Sequence, residues 1–227
     1  MNENLKDKTF ETDTFDVAGQ PLRVTSIGHS SLVWHWQGQV IHVDPWGVQA
    51  DYSTQPKADY IFVTHEHMDH LDQAAIALIK KPGTKLFVNP AVKAILGEGE
   101  ALANGDRRKL GTFSVEAHPA YNLGEDKQKF HPRGRDNGYL FRFGSLAAYV
   151  AGDTEDSPEL LALKGLDVAF LPMNQPYTMT PEQVAKVART VRPRVVYPYH
   201  RGETDPNLVA ALLKGESGIE VRIRKLA

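Results

Sequence analysis

The chain has 227 residues, of which 41% are hydrophobic, and this is enough to bury one sizeable core. Its 26 basic and 28 acidic side chains give a formal net charge of -2, which argues against a nucleic-acid-binding protein. The chain contains no cysteine, which excludes disulfides, thiolate zinc sites and a cysteine nucleophile.

The amino-terminal segment is polar and charged. Met1–Thr14 does not resemble a signal peptide, and no apolar run approaches the roughly 20 residues that cross a bilayer. We therefore expect no membrane span and a cytoplasmic protein, or a periplasmic one if a leader has been removed. Residues 1–227 are expected to form a single domain, with residues 1–20 as a polar extension.

Short strands dominate the first part of the chain. Gln37-Gly38 is typical of a tight hairpin turn between two strands. Arg107-Arg108-Lys109 is interpreted as a solvated turn. The predicted strands are Leu22–Ile27, Ser31–Trp36, Gln39–Val43 and Lys85–Val88, and the predicted helices are Gln73–Lys80 and Pro90–Leu96.

The second part alternates strands with helices and shows no internal repeat. Helices are expected to begin at Ser157-Pro158, Thr180-Pro181 and Asp205-Pro206, because proline suits the first turn of a helix. Such alternation predicts a layered α/β domain with sheets inside and helices outside. The predicted strands are Thr112–Ala117, Gly138–Phe143, Leu146–Val150, Asp167–Leu171, Arg194–Tyr197 and Ile219–Ile223.

Three histidines and an aspartate lie within six residues, directly after the apolar run 60–63. They are His65, His67, Asp69 and His70, in the order H-x-H-x-D-H. Histidine nitrogen and carboxylate oxygen are ligands of zinc and similar divalent metals. His65 and His67 are able to serve one ion, and Asp69 and His70 its neighbour. A polar helix cap would account for one aspartate such as Asp69 or Asp72, but not for three histidines.

Three later residues extend this cluster. His118, Asp153 and His200 each follow a predicted strand, and loops at strand ends on a rigid scaffold often carry catalytic groups. Taken singly, a histidine at a strand end is more often a surface residue, and a Gly-Asp pair is more often a turn. In order after H-x-H-x-D-H, the three together indicate a metal site.

At these motifs the chain resembles the metallo-β-lactamase superfamily from about Val24 to its end, and within it bacterial ascorbate-phosphate lactonase-like hydrolases. N-acyl-phosphatidylethanolamine phospholipase D is a more distant likeness. The resemblance implies an αββα sandwich of two mixed sheets flanked by helices, with two metals at one edge. The motifs are Gly28-His29-Ser30-Ser31, Val43-Asp44-Pro45, Thr64–Asp72, Ala117-His118-Pro119, Ala151-Gly152-Asp153-Thr154 and His200.

The resemblance also implies a ligand set. His65, His67 and His118 would bind the first metal, and Asp69, His70 and His200 the second. Asp153 would bridge the two ions, which we expect to be zinc or manganese, with iron as another choice. Asp69 and Asp153 would be the catalytic residues, with Asp69 also orienting the attacking hydroxide.

The expected reaction is hydrolysis of an ester-like bond by hydroxide held at two metals. The substrate would be a small molecule with a lactone, another carboxylic ester or a phosphodiester, and the ligands alone do not separate these. A β-lactam is not expected, since this chain lacks the cysteine ligand of one large class of zinc β-lactamases and has Asp153. The competing interpretation is a metal-binding or partner-binding module that kept the fold without turnover.

Several other polar residues are candidates for substrate contacts. His29 is expected near the metals, and His131 on the long loop 121–137 is expected to select substrate without binding metal, with Arg133 and Arg135 meeting an anionic group. Asn174 and Tyr177 are weaker candidates. Asp44 is interpreted either as a carboxylate that contacts a ligand histidine or as a turn residue. His35 and His42 alternate with apolar strand residues and are expected to be structural.

Overall fold

Two sheets of seven strands form the centre of the computed structural model, which describes residue 5 and residues 8–227. The strands of each sheet follow one another in chain order, without a crossover between the sheets. The first sheet contains β1 Glu11–Val17, β2 Gln20–Gly28, β3 Ser31–Trp36, β4 Gln39–Val43, β5 Tyr60–Phe62, β6 Lys85–Val88 and β7 Glu100–Ala101. The second contains β8 Arg107–Leu110, β9 Phe113–Ala120, β10 Asp136–Phe143, β11 Leu146–Val150, β12 Val168–Pro172, β13 Val195–Tyr199 and β14 Glu220–Val221.

Both sheets are mixed in the same way. The first four strands of each sheet pair antiparallel, and the remaining strands pair parallel. The parallel strands need crossovers, which the helices provide. These helices are α1 Gln73–Ile79, α2 Pro90–Leu96, α3 Pro158–Leu161, α4 Pro181–Val191 and α5 Asn207–Leu212.

Three apolar layers follow from this arrangement. Between the sheets, Trp34 packs against Phe141 and Phe143 with ring centroids 4.8 and 5.5 Å apart. The outer face of the first sheet packs on α1 and α2, and the outer face of the second packs on α3, α4 and α5. The molecule is therefore an αββα sandwich, which confirms the predicted fold class. No helix in the described part of the chain has the length and apolar character needed to cross a membrane.

Local sequence signals account for many of the element boundaries. Gln37 and Gly38 both have positive φ, 47° and 78°, as a two-residue hairpin turn requires. Thr180 and Gln183 form the reciprocal capping box at the start of α4. The strands β3, β4 and β6 and the helix α2 have the predicted bounds.

Two predictions require correction. The segment 1–20 is not simply an extension, because β1 is an edge strand that pairs antiparallel with β2 through the turn at Ala18-Gly19. Residues 1–4, 6 and 7 lie outside the described residues. The basic run Arg107–Lys109 is not a turn. It belongs to strand β8, which pairs with β9 at the edge of the second sheet.

Candidate metal centre

The candidate site lies beyond the carboxyl ends of parallel strands in both sheets. The segment 64–72 follows β5, Asp153 follows β11, and His200 follows β13 directly. Ligands of open α/β sheets commonly bind at this end of the strands. Backbone strain is concentrated here as well. Of six non-glycine residues with positive φ in the described part, His29, Asp44 and His200 lie at the site.

Histidine and carboxylate side chains form three overlapping groups at this end of the sandwich, within the described residues. In each group the ligand atoms lie within 4.8 Å of one another. The groups are His65, His67 and His131; His29, Asp69, His70 and His200; and His65, His70 and Asp153. Such a cluster is able to bind metal, since these are the nitrogen and oxygen donors of divalent ions.

Asp153 belongs to the third group and lies between the other two. Its Oδ2 is 3.3 Å from Nε2 of His131 and 3.3 Å from Nε2 of His200. Its Oδ1 is 3.4 Å from Nε2 of His70. The carboxylate therefore touches both histidine groups, and it is only 2% exposed.

His70 is oriented by a buried aspartate. Its Nδ1–H donates to Oδ2 of Asp44 over 2.8 Å, and Asp44 also accepts from the backbone N–H and hydroxyl of Thr64, each at 2.8 Å. Asp44 is fully buried. It is therefore the carboxylate that contacts a ligand-group histidine, which was one of its two interpretations. Such a contact fixes the ring so that Nε2 faces the cluster.

His131 has the same kind of support. Its Nδ1–H donates to Oδ2 of the buried Asp136 over 3.1 Å, and its Nε2 faces Asp153. The backbone carbonyl of His131 accepts from the N–H of Asn122, which ties the loop down. His131 was expected to contact substrate. The structure instead places it with His65 and His67.

His118 lies apart from all three groups. Along β9, Val115 and Ala117 face the core between the sheets, so the alternation of a strand turns Glu116 and His118 to the outer face. There, Nε2 of His118 is 3.3 Å from Oε1 of Glu116. The resemblance assigned His118 to the first metal, and the geometry of β9 argues against that assignment.

In the structure the loop that carries His131 spans residues 121–135, between β9 and β10, and its arginines are already paired. Arg133 binds Glu159 at 2.6 Å, and Arg135 binds both Asp136 and Glu66, at 2.6 and 2.8 Å. These carboxylates neutralise the cations that were expected to meet an anionic substrate group.

The remaining candidates have different surroundings. His29 joins the cluster, since its Nε2 is 2.9 Å from Oδ2 of Asp69 and its ring centroid is 3.9 Å from that of His200. Tyr177 packs against Phe130 and so borders the loop that carries His131. The backbone N–H of Asn174 donates to the Thr178 hydroxyl within its own turn. The described contacts of Asn174 and Tyr177 involve loops rather than the cluster.

The cluster favours ionised carboxylates. Burial alone would raise the pKa of Asp153, but the imidazoles of His200 and His70 hold it well below its usual range. Burial acts in the same direction on Asp69, yet contacts with His200 and His29 lower its pKa. A carboxylate must be ionised to bind a metal, so these surroundings suit a cation.

The histidines differ in charge preference. Burial lowers the pKa of His65 well below its ordinary value, which keeps its imidazole neutral. Burial also disfavours charge on His70, but Asp153 and Asp44 outweigh it and raise its pKa well above the ordinary range. The space between His70 and Asp153 therefore favours positive charge, which either a proton or a metal ion supplies.

The distances within the cluster fit a divalent cation. In the neutral ring, with Nδ1–H of His70 donating to Asp44, Nε2 presents a lone pair to Asp153, so that two acceptors face each other at 3.4 Å and a cation must lie between them. Nε2 of His70 and Oδ1 of Asp153 are buried without a hydrogen-bond partner among the described residues. Two atoms bound at tetrahedral angles to one zinc ion lie about 3.4 Å apart, given bond lengths of about 2.0–2.2 Å. The donor set therefore fits a metal.

The sandwich and its histidine–aspartate cluster together define the class of metal-dependent hydrolases with the metallo-β-lactamase fold. The chain belongs to the β-lactamase superfamily, because the family model described as "Beta-lactamase superfamily domain" matches residues 23–200.

Individual relatives agree with this membership. A UPF0173 metal-dependent hydrolase of Symbiobacterium thermophilum is 32% identical, over 90% of this chain and 92% of the relative. A crystal structure from Parabacteroides distasonis, of a candidate metal-dependent hydrolase, shares 48% identity and a TM-score of 0.94, covering 96% of this chain and 100% of the other. Igni18, a metallo hydrolase of Ignicoccus hospitalis, shares 25% identity and a TM-score of 0.74, with 91% and 96% covered.

Proposed function

We propose that the protein hydrolyses an ester-like bond in a small molecule with two divalent metal ions. His65, His67 and His131 would hold one ion, and the other would lie among the second ligand group. Asp153 would bridge the two. The position of Asp153 carries this proposal, since its two oxygens face histidines of both groups at 3.3–3.4 Å. The second group comprises Asp69, His70 and His200, with His29 beside them.

At the first metal, the third histidine ligand is proposed to be His131, in place of the His118 that the resemblance implied. The support is the pairing of His131 with buried Asp136, which repeats the pairing of His70 with Asp44. Histidines that ligate metals usually donate their other ring N–H to a carboxylate or carbonyl in this way. His118, in contrast, lies on the outer face of β9 beside Glu116.

Two bound divalent ions would supply Lewis acidity for activating water and for stabilising charge on a substrate oxygen. Other residues of the chain fix the positions of the ligand side chains. Asp44 and Asp136 fix two imidazole rings, and His29 holds Asp69 through its Nε2 at 2.9 Å from Oδ2. Asp69 is the carboxylate of the set with a partly exposed side chain, 31%, so it is available to orient water that enters from solvent.

The charges around the loop 121–135 indicate whether the substrate carries a phosphate group. Both Arg133 and Arg135 are neutralised by carboxylates, so they offer little to a phosphate group. We therefore propose a carboxylic ester or a lactone ahead of a phosphodiester. Zinc, manganese and iron all suit histidine and carboxylate ligands.

Metal analysis and a substrate panel test the proposal. Protein purified without chelator and then titrated with zinc or manganese should bind about two ions per chain, by the logic of a two-metal site. The loaded protein should hydrolyse lactones or carboxylic esters faster than bis-p-nitrophenyl phosphate. Faster turnover of the phosphodiester would reverse the substrate order. Two bound metals without turnover of any ester would favour a non-catalytic metal-binding module.

A further inference from the structure

The exposure of the proposed ligands locates the mouth of the site. Five of the seven are buried, and only His67 and Asp69 are partly exposed. Both belong to the segment after β5, so a substrate reaches the cluster along this side. The five buried ligands are His65, His70, His131, Asp153 and His200.

A cavity of about 420 Å³ opens on that side, which is within the size range of small-molecule sites. Its lining includes the two partly exposed ligands, so it adjoins the cluster. The rest of its wall is formed by Trp46, Met68 and Glu66. The carboxylate of Glu66 is paired with Arg135 at 2.8 Å, which reduces the charge of this wall.

Trp46 forms a fixed side of the cavity. Its backbone N–H donates to the Tyr52 hydroxyl over 3.2 Å, and its ring centroid is 5.0 Å from that of His29. The next residue, Gly47, donates its N–H to Asp72 over 2.8 Å. These two bonds fix the backbone at Trp46 and Gly47, and the indole lies beside the cluster through its contact with the His29 ring.

Met68 forms a flexible part of the cavity wall. It stands between His67 and Asp69, and its side chain is 84% exposed. Methionine is flexible and polarisable, and it is often used on surfaces that bind apolar groups of varied shape. An indole and a flexible thioether in the same lining make a wall suited to hydrocarbon.

We propose that this cavity is the subsite for an apolar alkyl or acyl group of the substrate. The inference rests on the proposed function for the bond that is broken, and it adds the chemical class of the substrate. Esters or lactones with a hydrocarbon chain would place the chain against Trp46 and Met68 and the carbonyl at the cluster.

Binding of straight-chain carboxylates tests the subsite without turnover. Acetate, butyrate, hexanoate and octanoate would be titrated by calorimetry into the zinc-loaded protein. Each added methylene that enters the cavity should tighten Kd by up to about fourfold. In Trp46→Ala and Met68→Ser, Kd should change less with the chain length of the carboxylate. Because Met68 is exposed, its replacement leaves the fold intact even if the Trp46 variant misfolds.

Val48→Ser is the matched control. Val48 lies two residues after Trp46 and is 61% exposed, but it does not line the cavity, so the chain-length dependence should persist. A Kd that does not change with chain length, or no binding of any carboxylate, would overturn the inference.

Turnover distinguishes the two proposals. If octanoate binds more tightly than acetate but no ester is hydrolysed, the proposed function fails and the subsite stands. If the wild type hydrolyses esters with a kcat/KM that is independent of their chain length, the proposed function stands and the subsite fails.

Discussion

Asp136 and His131 form a buried pair in which Oδ2 and Nδ1 are 3.1 Å apart, and both side chains are at most 1% exposed. The pair matches Asp44 and His70, whose atoms are 2.8 Å apart in equally buried surroundings. In both pairs the opposite ring nitrogen faces Asp153. The cluster thus has one carboxylate at its centre and one supporting carboxylate on each side.

The first prediction separates His131 from His118. His131→Ala should lower the metal content from about two ions to about one, because it removes one nitrogen from the group of His65 and His67. His118→Ala should keep both ions, since it removes a side chain on the outer face of β9. Elemental analysis after dialysis measures both. Loss of an ion in the His118 variant, with the His131 variant fully loaded, would restore the original assignment.

Most residues of the ligand groups were predictable from the sequence. The spacing H-x-H-x-D-H and the strand ends at Asp153 and His200 predicted residues that the fold does bring together. His118 was predicted to be a ligand through the resemblance, although the alternation of Val115 and Ala117 with Glu116 and His118 places its side chain away from the core between the sheets.

His131 was harder to predict because tertiary contacts fix its loop. The N–H of Asn122 donates to its carbonyl, and the Asn122 side chain donates to the carbonyl of Tyr177, a residue 55 positions away in the chain. The one local signal was an aspartate five residues after the histidine, at Asp136. Strand β1 was missed for a similar reason, since charged residues on an edge strand look like a polar extension.

The second prediction concerns the supporting carboxylate. Asp136→Asn should weaken metal affinity by about 10–100-fold while the protein stays folded, because the amide holds the His131 ring less firmly. Arg135→Gln is the matched control, since it removes the other partner of Asp136 and leaves the histidine contact in place. Competition with a chromogenic chelator gives the affinity. Equal affinities in the Asp136 variant and the wild type would contradict the supporting role.

The third prediction concerns Asp153. Asp153→Ala should lose both ions and nearly all hydrolysis, because its oxygens face both histidine groups. Asp72→Ala should keep both ions and lose about 1–2 kcal/mol of stability, since Asp72 accepts from Ala74 and Ala75 at the start of α1 and from the N–H of Gly47. Metal content and urea unfolding separate the two effects. An Asp153 variant with two ions and normal turnover would refute the bridging role.

The last prediction concerns a histidine that lies outside the ligand groups. His42 is fully buried, and its Nε2–H donates to the carbonyl of Pro56 over 2.9 Å. Burial lowers the pKa of His42 from 6.5 to about 4. The unfolded chain therefore binds a proton between these values while the folded protein does not, so the stability from neutral His42 is full above pH 6.5 and is lost as the pH falls towards 4.

Removal of His42 should weaken this pH dependence. Between pH 7 and pH 5, the wild type should lose about 2 kcal/mol more unfolding free energy than His42→Gln, whose amide is still able to donate to Pro56. Urea unfolding of both proteins at the two pH values, with chelator present throughout, measures the difference and keeps metal binding out of it. Equal losses in the two proteins would show that His42 does not titrate in this range on unfolding.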